Sequence, residues 1–127
     1  IGLKDSKEDK ENTKLLEEAN ISANGFNPNY YRQLLEKGIT PMIYNQPAKE
    51  SQAEIVYDAL GWTGDDEEAI YGIIRNAPSK AHLSSLAEYF FDQYGKGLYD
   101  YIRSYFNDEE MATVVKIHNS LPDFKRA

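Results

Sequence analysis

The chain contains no cysteine. That removes disulfide bridges, thiolate metal sites and cysteine nucleophiles, and it leaves cytosol, virion and cell surface equally open as compartments. Histidine occurs only as His82 and His118, far apart and without the His-Glu-X-X-His type of metal spacing. Positive charge is short: 14 Lys and Arg stand against 21 Asp and Glu, for a formal charge of −7. Affinity for a phosphate backbone comes from clustered Lys and Arg, so nucleic acid is not expected as a partner. Anionic membrane is likewise not expected without calcium to bridge the two negative surfaces. No stretch approaches the roughly 20 apolar residues that span a bilayer, and no signal-peptide pattern occurs. Phosphate-cradling glycine loops are missing too, since Gly61 and Gly64 neither follow a strand nor precede a Lys-Ser/Thr pair. The chain opens on Ile1-Gly2-Leu3 rather than methionine, as a processed or truncated product would.

What is present suits one globular domain. The length is 127 residues, with 41% hydrophobic and 13% aromatic content, enough to bury a core. Residues 1–19 read as a charged tail, flexible or partly helical, with a solvated arm as the favoured form. Residues 20–50 read as a turn, a short helix and a connector. Asn20 to Gly25 resembles the start of an EF-hand loop, but the twelfth position, which must supply a bidentate Glu, is Tyr31. Asn27-Pro28 has the form of a helix N-cap and first residue, Tyr30, Tyr31, Leu34 and Leu35 form an apolar stripe, and Gly38 is a natural stop. Ile39 to Tyr44 is an apolar connector, with a helical turn expected from Pro41.

Residues 51–127 contain five helical patterns and no sustained alternation, so the chain reads as all-α. Ser51 and Glu54 have capping-box spacing ahead of Ile55, Val56, Ala59 and Leu60, and Asp65 and Glu68 repeat it ahead of Ile70, Ile73 and Ile74. Ser79 is placed to cap a longer helix carrying Leu83, Leu86, Ala87, Phe90 and Tyr94. Leu98, Ile102 and Tyr105 or Phe106 line a fourth. Asn107 and Glu110 open the fifth, which turns Met111, Val114, Val115, His118 and Leu121 inward and stops at Pro122.

Two glycine turns frame this pattern. In the first, Gly64, Asp66 and Glu67 precede the Ile70, Ile73 and Ile74 face; in the second, Tyr94-Gly95 stands three residues before Leu98. The stretch 51–121 resembles a single divergent annexin repeat, such as those found in bacterial and phage proteins. The resemblance implies a five-helix annexin-like repeat with an N-terminal helical extension, and calcium-dependent attachment to membranes as the family's activity. The family's calcium positions are largely replaced here: its first glycine falls on Trp62, its threonine on Asp65 and its distant carboxylate on Tyr105, and only Gly64 is kept. Gly64, Asp65, Asp66 and Glu67 are the remaining metal candidates, yet acidic residues at a helix start ordinarily complement the helix dipole. No cofactor is expected, calcium being the one candidate.

Catalytic patterns are poorly represented. Ser84 and Ser85 sit mid-helix rather than on a nucleophile elbow, and His118 reads as a satisfied core histidine. The expected function is therefore non-catalytic: a helical interaction or structural module that docks to a protein partner or to itself, as an accessory of a phage virion or bacterial cell envelope. The alternatives are calcium-dependent membrane-surface binding and a small hydrolase built on a carboxylate pair. Interaction candidates are Trp62, as an aromatic at a domain tip, and Tyr99, Tyr101 and Tyr105 on the fourth helix.

Overall fold

The computed structural model describes residues 7–61 and 66–127. Among them the secondary structure is all helical: α1 (Lys7–Ala19), α2 (Tyr30–Glu36), α3 (Gln46–Gly61), α4 (Glu67–Arg75), α5 (Lys80–Tyr94), α6 (Leu98–Tyr105) and α7 (Asp108–Asn119). Helix α5 is the spine. Nine of its residues, among them Leu83, Leu86, Ala87 and Phe90, are buried, because helices pack on more than one side of it. Helix α3 packs on α4 and α5, α4 on α7, and α2 and α6 on α5.

Local chemistry sets most helix ends. Ser79 caps α5 by accepting the His82 N–H. Asn107 and Glu110 form a reciprocal capping box on α7, at 2.8 and 2.9 Å. Gly38, at φ +80°, closes α2: its N–H reaches the Leu35 carbonyl while the Ile39 N–H reaches that of Leu34, the paired bonding of a Schellman motif. Asn20, at φ 58°, ends α1 in the same way through the carbonyls of Glu17 and Leu16. Asn tolerates this left-handed conformation better than other non-glycine residues.

Several expected boundaries move. Helix α3 begins at Gln46 rather than near Ser51, because Asn45 accepts the Ala48 N–H at 2.9 Å and Pro47 sits in the first turn. Asn27 makes a local turn instead of capping α2: its side chain accepts the Asn29 N–H, and the helix opens at Tyr30. No helical turn begins at Pro41. That residue forms an isolated bridge with Arg126, and the Met42 N–H donates to the Lys125 carbonyl, so the end of the chain provides the connector's backbone partners. The charged arm is helical from Lys7 and buries Asn12 and Leu16.

Two cores result. The larger is built from α3 to α7 and includes Val56, Leu60, Ile70, Leu86, Phe90, Ile102 and Val114. The smaller gathers Leu16, Tyr30, Tyr31, Leu34, Ala81 and Phe124. Expected core residues Leu35, Ile55 and Val115 are exposed, since each lies at the margin of a stripe that neighbouring helices cover only in part.

Candidate functional site

A cleft of about 640 Å³ lies between the 23–28 loop, the start of α6 and the end of α7. Its volume falls in the range of about 300–1,000 Å³ common for ligand pockets. The loop is drawn tightly onto α5: a Cβ on Gly25 would meet Leu83 Cβ and the Lys80 carbonyl oxygen at 3.0 Å, so glycine is what allows the approach. The Gly25 N–H donates to His118 Nε2 at 2.8 Å, and His118 Nδ1 lies 2.8 Å from Asn119 Oδ1. With Nε2 accepting, the ring proton sits on Nδ1. His118 is thus a satisfied, buried histidine, and its ring stacks under Phe26 at 5.0 Å between centroids. Tyr99 meets Phe26 edge-to-face at 5.3 Å and is 37% exposed. Gly97 stands at the N-cap of α6 and so offers no side-chain cap, and the Asp100 carboxylate lies back over it, 3.5 Å from where a Cβ on Gly97 would sit.

A second aromatic array lies across α3, α5 and α6. Tyr57 stacks on Tyr94 at 4.2 Å and on Tyr101 at 5.5 Å, and Tyr105 meets Tyr101 edge-on at 5.3 Å. Within it Tyr101 is only 6% exposed and donates its hydroxyl to the Tyr57 carbonyl at 3.1 Å. Burial is the main reason its pKa is raised, with the neighbouring Tyr105 adding to the shift. Tyr101 therefore belongs to the core, whereas Tyr105 is 40% exposed. One turn of helix separates the two fates. Tyr57, absent from the expected interaction residues, is exposed beside it; its place in the array depends on α6 and could not be read from α3 alone.

The other expected site residues are scattered. Trp62, Gly64 and Asp65 lie outside the described residues. Asp66, not Asp65, caps α4 by accepting the Ala69 N–H at 3.2 Å, and Glu67 follows in the first turn. No group of three or more His, Asp or Glu positioned to hold a metal occurs among the described residues. Ser84 and Ser85 are fully buried and engaged: Ser84 Oγ accepts the Tyr31 N–H and donates to the Asn27 carbonyl, and Ser85 donates to the His82 carbonyl.

Ser79 Oγ lies 2.7 Å from His82 Nδ1, the separation of a serine–histidine dyad. Both residues are buried, however, and the same oxygen also accepts the His82 N–H to start α5. Burial, with the nearby Lys125 charge, pulls the His82 pKa down to about 4. The pair is a helix-start device, packed under the edge of Tyr44.

One ionic cluster joins α2 to α5. Arg32 and Tyr31 both donate to the Glu88 carboxylate. Burial raises the Glu88 pKa, but those two hydrogen bonds outweigh it and hold the group below its usual value. The Tyr31 hydroxyl is pushed up to about 12, chiefly by burial and then by its bond to Glu88. These groups serve the helix–helix contact.

No helix among the described residues is long and apolar enough to cross a membrane. No protein-family model, curated protein or solved structure matches the chain.

Proposed function

We propose that the protein is a non-catalytic helical docking module that joins another protein, or a second copy of itself, through the aromatic face of α3, α5 and α6. The observation that carries this reading is the aromatic array of Tyr94, Tyr57 and Tyr101, stacked, with Tyr105 edge-on to Tyr101, in which Tyr101 is buried while Tyr57 and Tyr105 remain exposed. The inner ring holds the outer ones in place, so covering them costs little side-chain entropy. Tyrosine also suits an interface, offering an apolar body and a polar tip. Phe91, 53% exposed on α5 three residues before Tyr94, extends the apolar surface along that helix.

The finer reading of α3 to α7 as an annexin-like five-helix unit is supported by the helix order and by Gly95, left-handed at φ 70°, between α5 and α6. A setting in a phage virion or bacterial envelope rests on that resemblance alone.

Sedimentation velocity over a wide concentration range, in calcium and in chelator, tests the proposal. Concentration-dependent dimers, or a complex with a partner protein, that are lost on Tyr57→Ala with Tyr105→Ser and indifferent to chelator would support it. A strict monomer that captures no partner, or binding to anionic vesicles only with calcium, would overturn it in favour of a membrane-surface role.

A further inference from the structure

We propose that the cleft between Phe26, Tyr99 and the start of α6 is a docking groove for a proline-rich segment of a partner protein, held in the polyproline II conformation and flanked by a basic residue. The inference rests on the docking reading above but assigns a different surface to a different kind of contact.

Hydrogen-bond sense carries the argument first. Asn24 and Asn27 each use their amide oxygen on a backbone N–H two residues further on, those of Phe26 and Asn29, at 2.9 Å. Their amide nitrogens are left as the groups offered to a ligand, and an amide nitrogen only donates. The Tyr99 hydroxyl can donate as well. A ligand segment lying against these two asparagines and Tyr99 should present acceptors to them. Proline residues have a carbonyl and no N–H, and in polyproline II those carbonyls face outward without internal partners.

Shape and charge agree with that choice. Phe26 and Tyr99 meet at 71°, forming an angled aromatic trough, with Leu98 and Val115 as further apolar lining. Aromatic-lined grooves are the usual receptors for polyproline II, whose stiffness lowers the entropic cost of docking. The trough is itself preorganised, because Phe26 is stacked on His118, and His118 is pinned by the Gly25 N–H. No Lys or Arg lines the cleft, so an anionic ligand is disfavoured. Asp100 is exposed at its edge, placed to receive a cationic side chain beside the prolines.

The test is an amide NMR titration of the whole protein with an acetylated proline octamer ending in arginine. The same octamer ending in glycine, a Gly-Ser peptide ending in arginine and chitotetraose serve as further probes. Expected are saturable shifts at Gly25, Phe26 and residues 97–100 with the proline–arginine peptide and none with the Gly-Ser peptide. Tyr99→Ala, at an exposed site, should weaken binding about tenfold or more, a loss of roughly 1.4 kcal/mol. Asp100→Asn should weaken the arginine-ended octamer and leave the glycine-ended one unchanged. The Tyr57→Ala, Tyr105→Ser protein should bind as wild type, which separates this groove from the aromatic face. The proposal is overturned by absence of saturable shifts at millimolar peptide, by equal binding of the Gly-Ser peptide, or by shifts with chitotetraose alone, which would make the cleft a glycan site.

Discussion

The two cores are held in different ways. The larger, from α3 to α7, is built of consecutive helices whose apolar stripes face one another, so hydrophobic burial dominates its cohesion. The smaller joins the two ends of the chain and is tied by polar groups. Asn12 donates to the Phe124 carbonyl at 3.0 Å, Arg126 donates to Asn12 at 3.1 Å, and the Tyr30 hydroxyl donates to the Asp123 carbonyl at 2.8 Å. Lys80 pairs with the Asp123 carboxylate at 2.9 Å where both side chains are mostly buried. The Lys80 N–H also donates to the Pro122 carbonyl at 2.8 Å, so the end of the chain satisfies the open start of α5. Apolar stripes bring neighbouring helices together, but few apolar residues are available to join segments more than a hundred positions apart. There, directional bonds specify the docking.

Truncation in the larger core should do the most damage. Phe90→Ala, at a fully buried ring of α5, is expected to cost about 3–5 kcal/mol. Urea unfolding would show it as a lower midpoint, and a loss below about 1 kcal/mol would mean the core repacks. The polar ties of the smaller core should matter next. Asp123→Ala removes the ion pair with Lys80 and the Thr13 contact at 3.2 Å, for an expected loss of about 1.5–3 kcal/mol. Hydrogen exchange sharpens the comparison: protection should fall in α1 and residues 120–127 while α3 to α7 keep theirs. Uniform loss across all helices would show instead that the two cores unfold as one unit.

Smaller effects test local devices. Asn107→Ala breaks the capping box of α7 and should cost about 1 kcal/mol, with Asn107→Asp restoring most of it. Acid tests a second local device, the buried His82. The folded His82 pKa is lowered from 6.5 to about 4, so the unfolded chain takes up the proton first. The stability it contributes is complete above its unfolded value and drains away as pH falls from 6.5 towards 4. Between pH 6.5 and 5, above the main carboxylate range, His82→Gln should flatten the slope of the denaturation midpoint; an unchanged slope would place the titration elsewhere.

The legible parts of the molecule were those governed by near neighbours in sequence. The caps at Ser79 and Asn107 and the stop at Gly38 depend on residues within four or five positions. The start of α3 was misplaced because Ser51 and Glu54 satisfy the same spacing rule inside a helix that Asn45 had already begun. Asn27 misled similarly, because a residue suited to an N-cap is equally suited to a local turn. For the candidate sites, exposure of Tyr99 and Tyr105 was readable as a tendency of helix-surface tyrosines. Burial of Tyr101 was not, since it depends on which helix lies across α6.

Helical periodicity and the absence of sustained alternation determined, from the sequence alone, that this chain is all-α and that five apolar stripes follow residue 51, because a stripe repeating every three or four residues can be buried only as a helix. Those stripes carry no information about which neighbour covers them. Tertiary structure alone decided that α1 packs at the end of the chain, that Pro41 and Arg126 form a bridge, and that the 23–28 loop and α6 enclose a cleft. Each of these depends on contacts between distant segments, where the outcome is set by shape and by the pairing of polar groups rather than by local pattern.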